Sequence, residues 1–168
     1  MVRPLILAAG LLLWSASHAQ DGAGALRFAT AVGTSDLGTA FNAQLGRAFT
    51  SGYLPGQWRW EAQLATFGGE DVATFSNTGR RSAWAAGASA LPQLPLGHAL
   101  TAYGKLGLNY LVSEITSAGQ TNATGSVRPG VGAGLRWQAT PRFGVRVEYQ
   151  SIGGTVGDLT TFGAEVPL

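Results

Sequence analysis

SVRPGVGAGLRWQATPRFGVRVEYQSI, residues 126–152, alternates between two kinds of residue on either side of a short turn. Val131, Ala133, Leu135 and Trp137 alternate with Gly130, Gly132, Gly134 and Arg136. Beyond the turn residues Ala139, Thr140 and Pro141 the alternation resumes. Phe143, Val145, Val147 and Tyr149 form one set, and Gly144, Arg146, Glu148 and Gln150 the other. A period of two places each set on its own face of a strand. The stretch therefore predicts a β-hairpin with one apolar face and one face of glycine and charge. In a water-soluble sandwich the apolar face would meet a second sheet. Here apolar runs of about nine residues end in aromatics and recur along the chain with no helix between them. That is the pattern of a barrel whose apolar face meets lipid and whose polar face lines the lumen.

Eight such strands can be placed along the chain. The first covers residues 25–34, with Leu26, Phe28, Thr30 and Val32 on one face. The second, 39–49, sets Phe41, Ala43 and Leu45 against Asn42, Gln44 and Gly46. After a Pro55-Gly56 turn, the third, 57–67, sets Trp58, Trp60, Ala62 and Leu64 against Arg59, Glu61 and Gln63. Residues 68–81 read as a polar loop. The fourth strand, 82–90, is a run of alanines around Trp84 with no firm face, and a proline-bearing turn follows over 91–97. The fifth, 98–113, carries Leu100, Ala102, Leu106, Leu108 and Tyr110 opposite Thr101, Tyr103, Lys105 and Asn109. Residues 116–125 read as a second polar loop before the hairpin of strands six and seven. The eighth strand, 159–168, alternates Thr160, Phe162, Ala164 and Val166 with Thr161, Gly163 and Glu165.

Long links after strands three and five, and shorter, mostly proline-marked ones after two, four and six, match the asymmetry of an outer-membrane barrel. Phe49, Trp58, Trp137 and Phe143 are expected as an aromatic girdle at the short-turn end. Phe67, Tyr110 and Tyr149 are expected as another at the loop end. The predicted fold is all-β: an eight-stranded antiparallel up-and-down transmembrane β-barrel, whose interior side chains just fill.

Residues 1–19 are expected to be a signal peptide and 20–168 the barrel domain. Arg3 supplies the positive end, the run from Leu5 to Trp14 the apolar core, and Ser17-His18-Ala19 a small-x-small cleavage site. The absence of cysteine means no disulfide framework holds the exported chain. With Arg3 set aside, 10 basic residues face 9 acidic ones, a net of +1. So balanced a chain gives no footprint for nucleic acid. Glycine at 25 residues and charge at 12% suit tight turns and lipid-facing strands better than a soluble surface.

On these faces Arg59, Glu61, Lys105, Arg136, Arg146 and Glu148 point into the lumen. Charges in so narrow a space must pair. They form either a static network that fills the barrel or a gate whose partners exchange, and the static reading is preferred. Gly130-x-Gly132-x-Gly134 lacks the next glycine and the helix of a dinucleotide fingerprint, so no cofactor is expected; on the lumen face these glycines relieve crowding. His98 has no acid or hydroxyl at recognisable spacing, so no catalytic residue is assigned and the chain reads as a non-enzyme. Glu70 and Asp71 read as solvated loop acids, no metal site is assigned, and Asn122-Ala123-Thr124 is a chance match to a glycosylation pattern.

Two segments carry a family likeness: LPLGHALTAYGKLGLNY at residues 94–110, and RPGVGAGLRWQATPRFGVRVEYQSIG at residues 128–153. Together they resemble the OmpA-like outer-membrane β-barrel family, and RWEAQLATFGGED at 59–71 resembles its third strand. The resemblance implies an outer-membrane barrel of a Gram-negative bacterium. It also implies a monomer surrounded by outer-membrane lipid and lipopolysaccharide and inserted by the barrel-assembly machinery. The chain stops at Leu168, where long members continue into a peptidoglycan-binding domain, which is therefore expected to be absent. Val166-Pro167-Leu168 stands where the family carries Tyr-x-Phe, and Pro167 is expected to cost a ladder donor. The functional expectation is a structural or surface-interaction barrel with loops outside the cell. The alternative is a small ion-conducting pore gated by the lumen charges.

Overall fold

The computed structural model describes residues 25–49, 56–74, 77–153 and 157–168; the expected leader lies outside them. Eight antiparallel strands close on one another in chain order: β1 (Leu26–Ser35), β2 (Gly38–Phe49), β3 (Gln57–Thr74), β4 (Asn77–Pro95), β5 (Leu100–Ser117), β6 (Gln120–Thr140), β7 (Phe143–Ile152) and β8 (Asp158–Pro167). Pairing of β1 with β8 closes the cylinder, so no strand is left as an edge over the height that all eight share. The start of β1 and the end of β8 share one rim, called here the terminal rim; the other is the hairpin rim.

The register fixes the tilt. From Leu26 the paired neighbours run through Arg47, Trp60, Ala90, Leu106, Val131, Ser151 and Asp158, which stands one step past the Ser35–Leu159 pair. One circuit thus climbs about ten residues. Spread over eight strands about 4.8 Å apart, that climb tilts them roughly 40°. A ten-residue strand at that tilt rises roughly 25 Å, the height of the apolar band of such barrels.

The faces follow the period of two. Phe41, Leu64, Leu106, Leu108, Val131, Leu135, Val147 and Phe162 stand exposed around the wall, a belt that water would not tolerate and lipid does. Phe49, Trp60, Trp137 and Phe143 are exposed near the terminal rim. Nearer the hairpin rim, Tyr110 and Tyr149 are exposed, and Tyr110 meets Trp84 edge to face at 6.4 Å. Phe67 does not belong to that girdle: it is fully buried inside the barrel. It shares the parity of Arg59, Glu61 and Gln63, so a girdle position was incompatible with its own strand.

The two polar loops are corrected to strands. Residues 68–74 continue β3 and 77–81 open β4, with Glu70 opposite Arg81 and Asp71 opposite Arg80. Opposite charges facing across a ladder favour pairing. Gly68 sits in a register shift with φ of 78°, and a Cβ there would stand 2.6 Å from the Thr39 carbonyl oxygen. Residues 116 and 117 extend β5, and β6 starts at Gln120, so only Ala118 and Gly119 turn the chain. The asymmetry between the two ends therefore lies in strand length rather than loop length. β3–β6 run 18, 19, 18 and 21 residues against 10, 12, 10 and 10 for β1, β2, β7 and β8. The surplus raises a four-stranded sheet roughly 20 Å above the hairpin rim.

Ala118 and Gly119 both have positive φ, 50° and 79°, as a two-residue hairpin turn of right-handed twist requires. Alanine is strained there. Ala118→Gly should stabilise the barrel by up to about 1 kcal/mol, measured as a shift in urea midpoint.

β4 acquires the faces its sequence left open. Ala83, Ala85, Ser89 and Leu91 point inward, Trp84 points outward, and the strand runs on through the expected turn to Pro95. Pro92 interrupts rather than ends it: the ladder to β5 skips from Ala90–Leu106 to Gln93–Tyr103 and resumes to Pro95. At the end of β8, Pro167 removes no ladder bond. The Leu168 amide donates to the Leu26 carbonyl at 2.8 Å, so Pro167 faces the opposite side, where β7 has already ended.

Candidate functional site in the barrel lumen

Inward-facing side chains sort by height. Along β3 they read Arg59, Glu61, Gln63, Ala65, Phe67; along β7, Arg146, Glu148, Gln150, Ile152. Each strand thus passes from charge at the terminal rim, through amides, to apolar groups at the hairpin rim. The upper layer is a plug of Leu37, Ala40, Ala65, Phe67, Ala83, Ala85, Leu111, Ile152 and Leu159.

Below it stands a quartet of charges. Arg146 Nη1 donates to Glu61 Oε2 at 2.7 Å, and its Nη2 donates to Glu148 Oε2. Lys105 donates to Glu148 Oε1 at 2.9 Å and lies 2.9 Å from Glu61 Oε1, an ionic contact without hydrogen-bond geometry. Tyr103 donates its hydroxyl proton to Glu148 at 3.0 Å, accepts from Arg146 Nε at 3.1 Å, and presents its ring to the same guanidinium at 5.1 Å. Gln44 donates to Glu148 at 3.0 Å, and Lys105 to Gln63 at 2.5 Å. Every member is almost wholly buried. Pairs this deep hold only when nearly all their donors and acceptors are met.

Glycines make the room. A Cβ on Gly134 would run into the Tyr103 ring, and one on Gly130 into the Asn109 amide. A Cβ on Gly132 would stand 2.6 Å from the Tyr149 carbonyl oxygen. β6 gives up side chains so that β5 and β7 can fill the lumen.

The remaining charges gather at the terminal rim. Arg59 does not pair with Glu61; its Nη1 donates to both oxygens of Glu165, at 2.8 and 3.0 Å. Arg136 stands opposite Arg146 in register, donates to Gln93 at 3.2 Å, and reaches Glu165 only at 3.6 Å. Reading the sequence for charge missed Glu165 and Arg27 as members of this group. Glu165 was legible, because it alternates with Ala164 and Val166 on β8. Tyr103 and the amides carry no charge, and only the closed barrel shows that they bridge it. His98 lies exposed at the turn of residues 96–99, outside the lumen, with no acid bonded to it among the described residues.

The lumen is therefore filled and plugged, and a lipid-facing belt surrounds it. The model of the outer membrane protein beta-barrel domain matches residues 6–166. Solved structures share the fold, three of them as follows. The N-terminal β-barrel domain of Pseudomonas aeruginosa OprF is 14% identical, covers 90% of this chain and 100% of its own, and superposes with a TM-score of 0.60. Ail, the attachment invasion locus protein of Yersinia pestis, in complex with the heparin analogue sucrose octasulfate, is 18% identical over 86% of this chain and 97% of its own, TM-score 0.54. The outer membrane enzyme PagL is 16% identical over 84% and 99%, TM-score 0.52. No curated protein matches the chain. At such identities the structures show the fold alone, but the family match spans nearly the whole sequence, and the chain belongs to the outer membrane protein β-barrel domain family.

Proposed function

We propose that this barrel is a membrane anchor that carries an interaction surface outside the cell, exported by its first 19 residues and set with the terminal rim toward the periplasm. The observation that carries this is the four-stranded sheet above the hairpin rim. Its flank is open, since β7 pairs with β6 only from Gly130 onward and leaves residues 120–128 without a neighbour on that side among the described residues. An unpaired strand edge offers backbone donors and acceptors to a partner's extended segment. The partner differs from the sulfated sugar seen on Ail. The acids Asp36, Glu70, Asp71, Glu114 and Asp158 outnumber the bases Arg80, Arg81 and Arg128 at this end among the described residues.

The reading is non-enzymatic. PagL shows that the fold admits an enzyme, but here His98 is set on an exposed turn at the terminal rim without a bonded acid among the described residues. A pore is disfavoured by the apolar plug above a filled charge quartet, since ions cross apolar constrictions poorly.

Single cysteines report the orientation cleanly, because the chain has none of its own. On intact cells Asn122→Cys should react with a membrane-impermeant maleimide, while Arg142→Cys should react only after permeabilisation. The reverse pattern overturns the proposed orientation. Refolded protein in planar bilayers should show no steady conductance; discrete channel openings would restore the pore.

A further inference from the structure

The barrel wall encloses more cation than anion. Arg27, Arg59, Lys105, Arg136 and Arg146 face only Glu61, Glu148 and Glu165 among the described residues. Lys105 and Arg146 are balanced by Glu61 and Glu148. The surplus stands at the terminal rim, where Arg27, Arg59 and Arg136 converge on Glu165 at 3.5, 2.8 and 3.6 Å and Arg146 approaches it at 3.8 Å. Glu165 bonds Arg59 closely and the other two only loosely. Arg27 and Arg136 complete their bonding on the neutral amide oxygens of Gln138, at 2.9 Å, and Gln93, at 3.2 Å. Those oxygens satisfy an N–H without cancelling a charge.

Arg59 adds a second, independent sign. It is 2% exposed, yet its Nε and Nη2 find no acceptor. That edge packs directly against Gly46, where even a Cβ would stand only 2.7 Å from Nε. Unmet donors and uncompensated charge in a buried place are costly. The cluster is open to a ligand from one side only. Arg27 and Arg136 are 26% and 17% exposed, while the far end of the lumen is stopped by the apolar plug.

We propose that the terminal mouth of the lumen binds a phosphate-type oxyanion between Arg27, Arg59 and Arg136. Planar guanidinium groups match tetrahedral oxyanions with paired N–H donors; a hydrogenphosphate dianion would neutralise both surplus charges, and a phosphodiester headgroup one of them. The same chemistry is presented by free phosphate and by the headgroup of an anionic phospholipid.

The test uses the full barrel refolded in a phosphate-free maltoside detergent, titrated with inorganic phosphate against sodium chloride of equal ionic strength. The thermal midpoint should rise saturably with phosphate and not with chloride, because a ligand held only by the folded state stabilises it. Arg27→Gln and Arg136→Gln should each weaken the apparent phosphate affinity about tenfold, the scale of one charge-assisted hydrogen bond. Both variants should fold without phosphate, since each relieves repulsion. Arg47→Gln and Arg142→Gln, at the same rim but outside the lumen, should respond as the parent does. A midpoint that tracks ionic strength alone, or an undiminished response in the double Arg27→Gln, Arg136→Gln variant, overturns the site. Bilayer discs identify the source. A headgroup ligand abolishes the phosphate response in discs containing phosphatidylglycerol, whereas a free-phosphate ligand leaves it unchanged there.

Discussion

Arg146→Gln is expected to cost the barrel about 3–5 kcal/mol, the range for breaking one partner out of a buried charge group. The side chain is 2% exposed and bonds Glu61, Glu148 and Tyr103 at once. Its loss leaves two buried carboxylates to share Lys105, while Tyr103 loses the guanidinium on its ring. Urea unfolding of the refolded protein measures the cost. Adding Glu148→Gln should return part of it, because the surviving Lys105–Glu61 pair is then balanced, and the double-mutant cycle gives the coupling. A loss below about 1 kcal/mol would mean a wet lumen in which these charges are individually solvated.

The second large effect lies one position away on the other face. Val147 is 46% exposed, flanked in register by Leu135 and Phe162. If that exposure is to lipid, Val147→Arg should destabilise by roughly 2–4 kcal/mol in bilayers. Asn122→Arg, on the sheet above the rim, should change stability by no more than about 0.5 kcal/mol. No lumen substitution should rescue Val147→Arg, since a cation among acyl chains gains nothing from a changed network behind the wall. A harmless Val147→Arg beside a damaging Arg146→Gln would place the lipid belt elsewhere.

Strand faces were legible wherever apolar and polar residues alternate strictly. β2, β3, β5, β6, β7 and β8 place their two sets as the period of two requires, because a one-residue slip would turn charge to lipid and leucine to the lumen. β4 was not legible, since alanine fits either face of a wall; Ala83 and Ala85 are inside only because β3 and β5 fix the register. The tall hairpins were missed for a related reason. Above the membrane a strand needs no apolar face, so the small polar residues of 116–125 carry no alternation, and strand structure there rests on pairing such as Thr116 with Thr121. Pro92 misled in the same direction: it breaks the ladder without ending the strand, which runs on to Pro95.

The candidate site was legible in its charges but not in its partners. Alternation alone sends Arg59, Lys105, Arg146, Glu61 and Glu148 inward. Which cation meets which carboxylate depends on strands far apart in sequence: Arg59 reaches Glu165 across 106 positions, and Arg146 reaches Glu61 across 85. The excess of cation at the terminal rim is a property of the closed cylinder, because it appears only when β1, β3, β6 and β8 are brought to one height. The apolar plug is similar. Leu37, Phe67, Leu111, Ile152 and Leu159 come from five separate segments, and no one of them suggests a stopper by itself.

Spin-label accessibility separates an apolar wall set in lipid, with hairpins standing in water, from any other arrangement. Nitroxides on single cysteines at Leu106, Val131, Val147 and Phe162 are compared with one at Thr121, all in proteoliposomes. The four wall positions should collide freely with oxygen, which concentrates in the bilayer, and scarcely with an aqueous nickel chelate; Thr121 should show the reverse. Wall positions open to the nickel chelate, or closed to both reagents as in a soluble interior, would contradict a lipid-facing barrel.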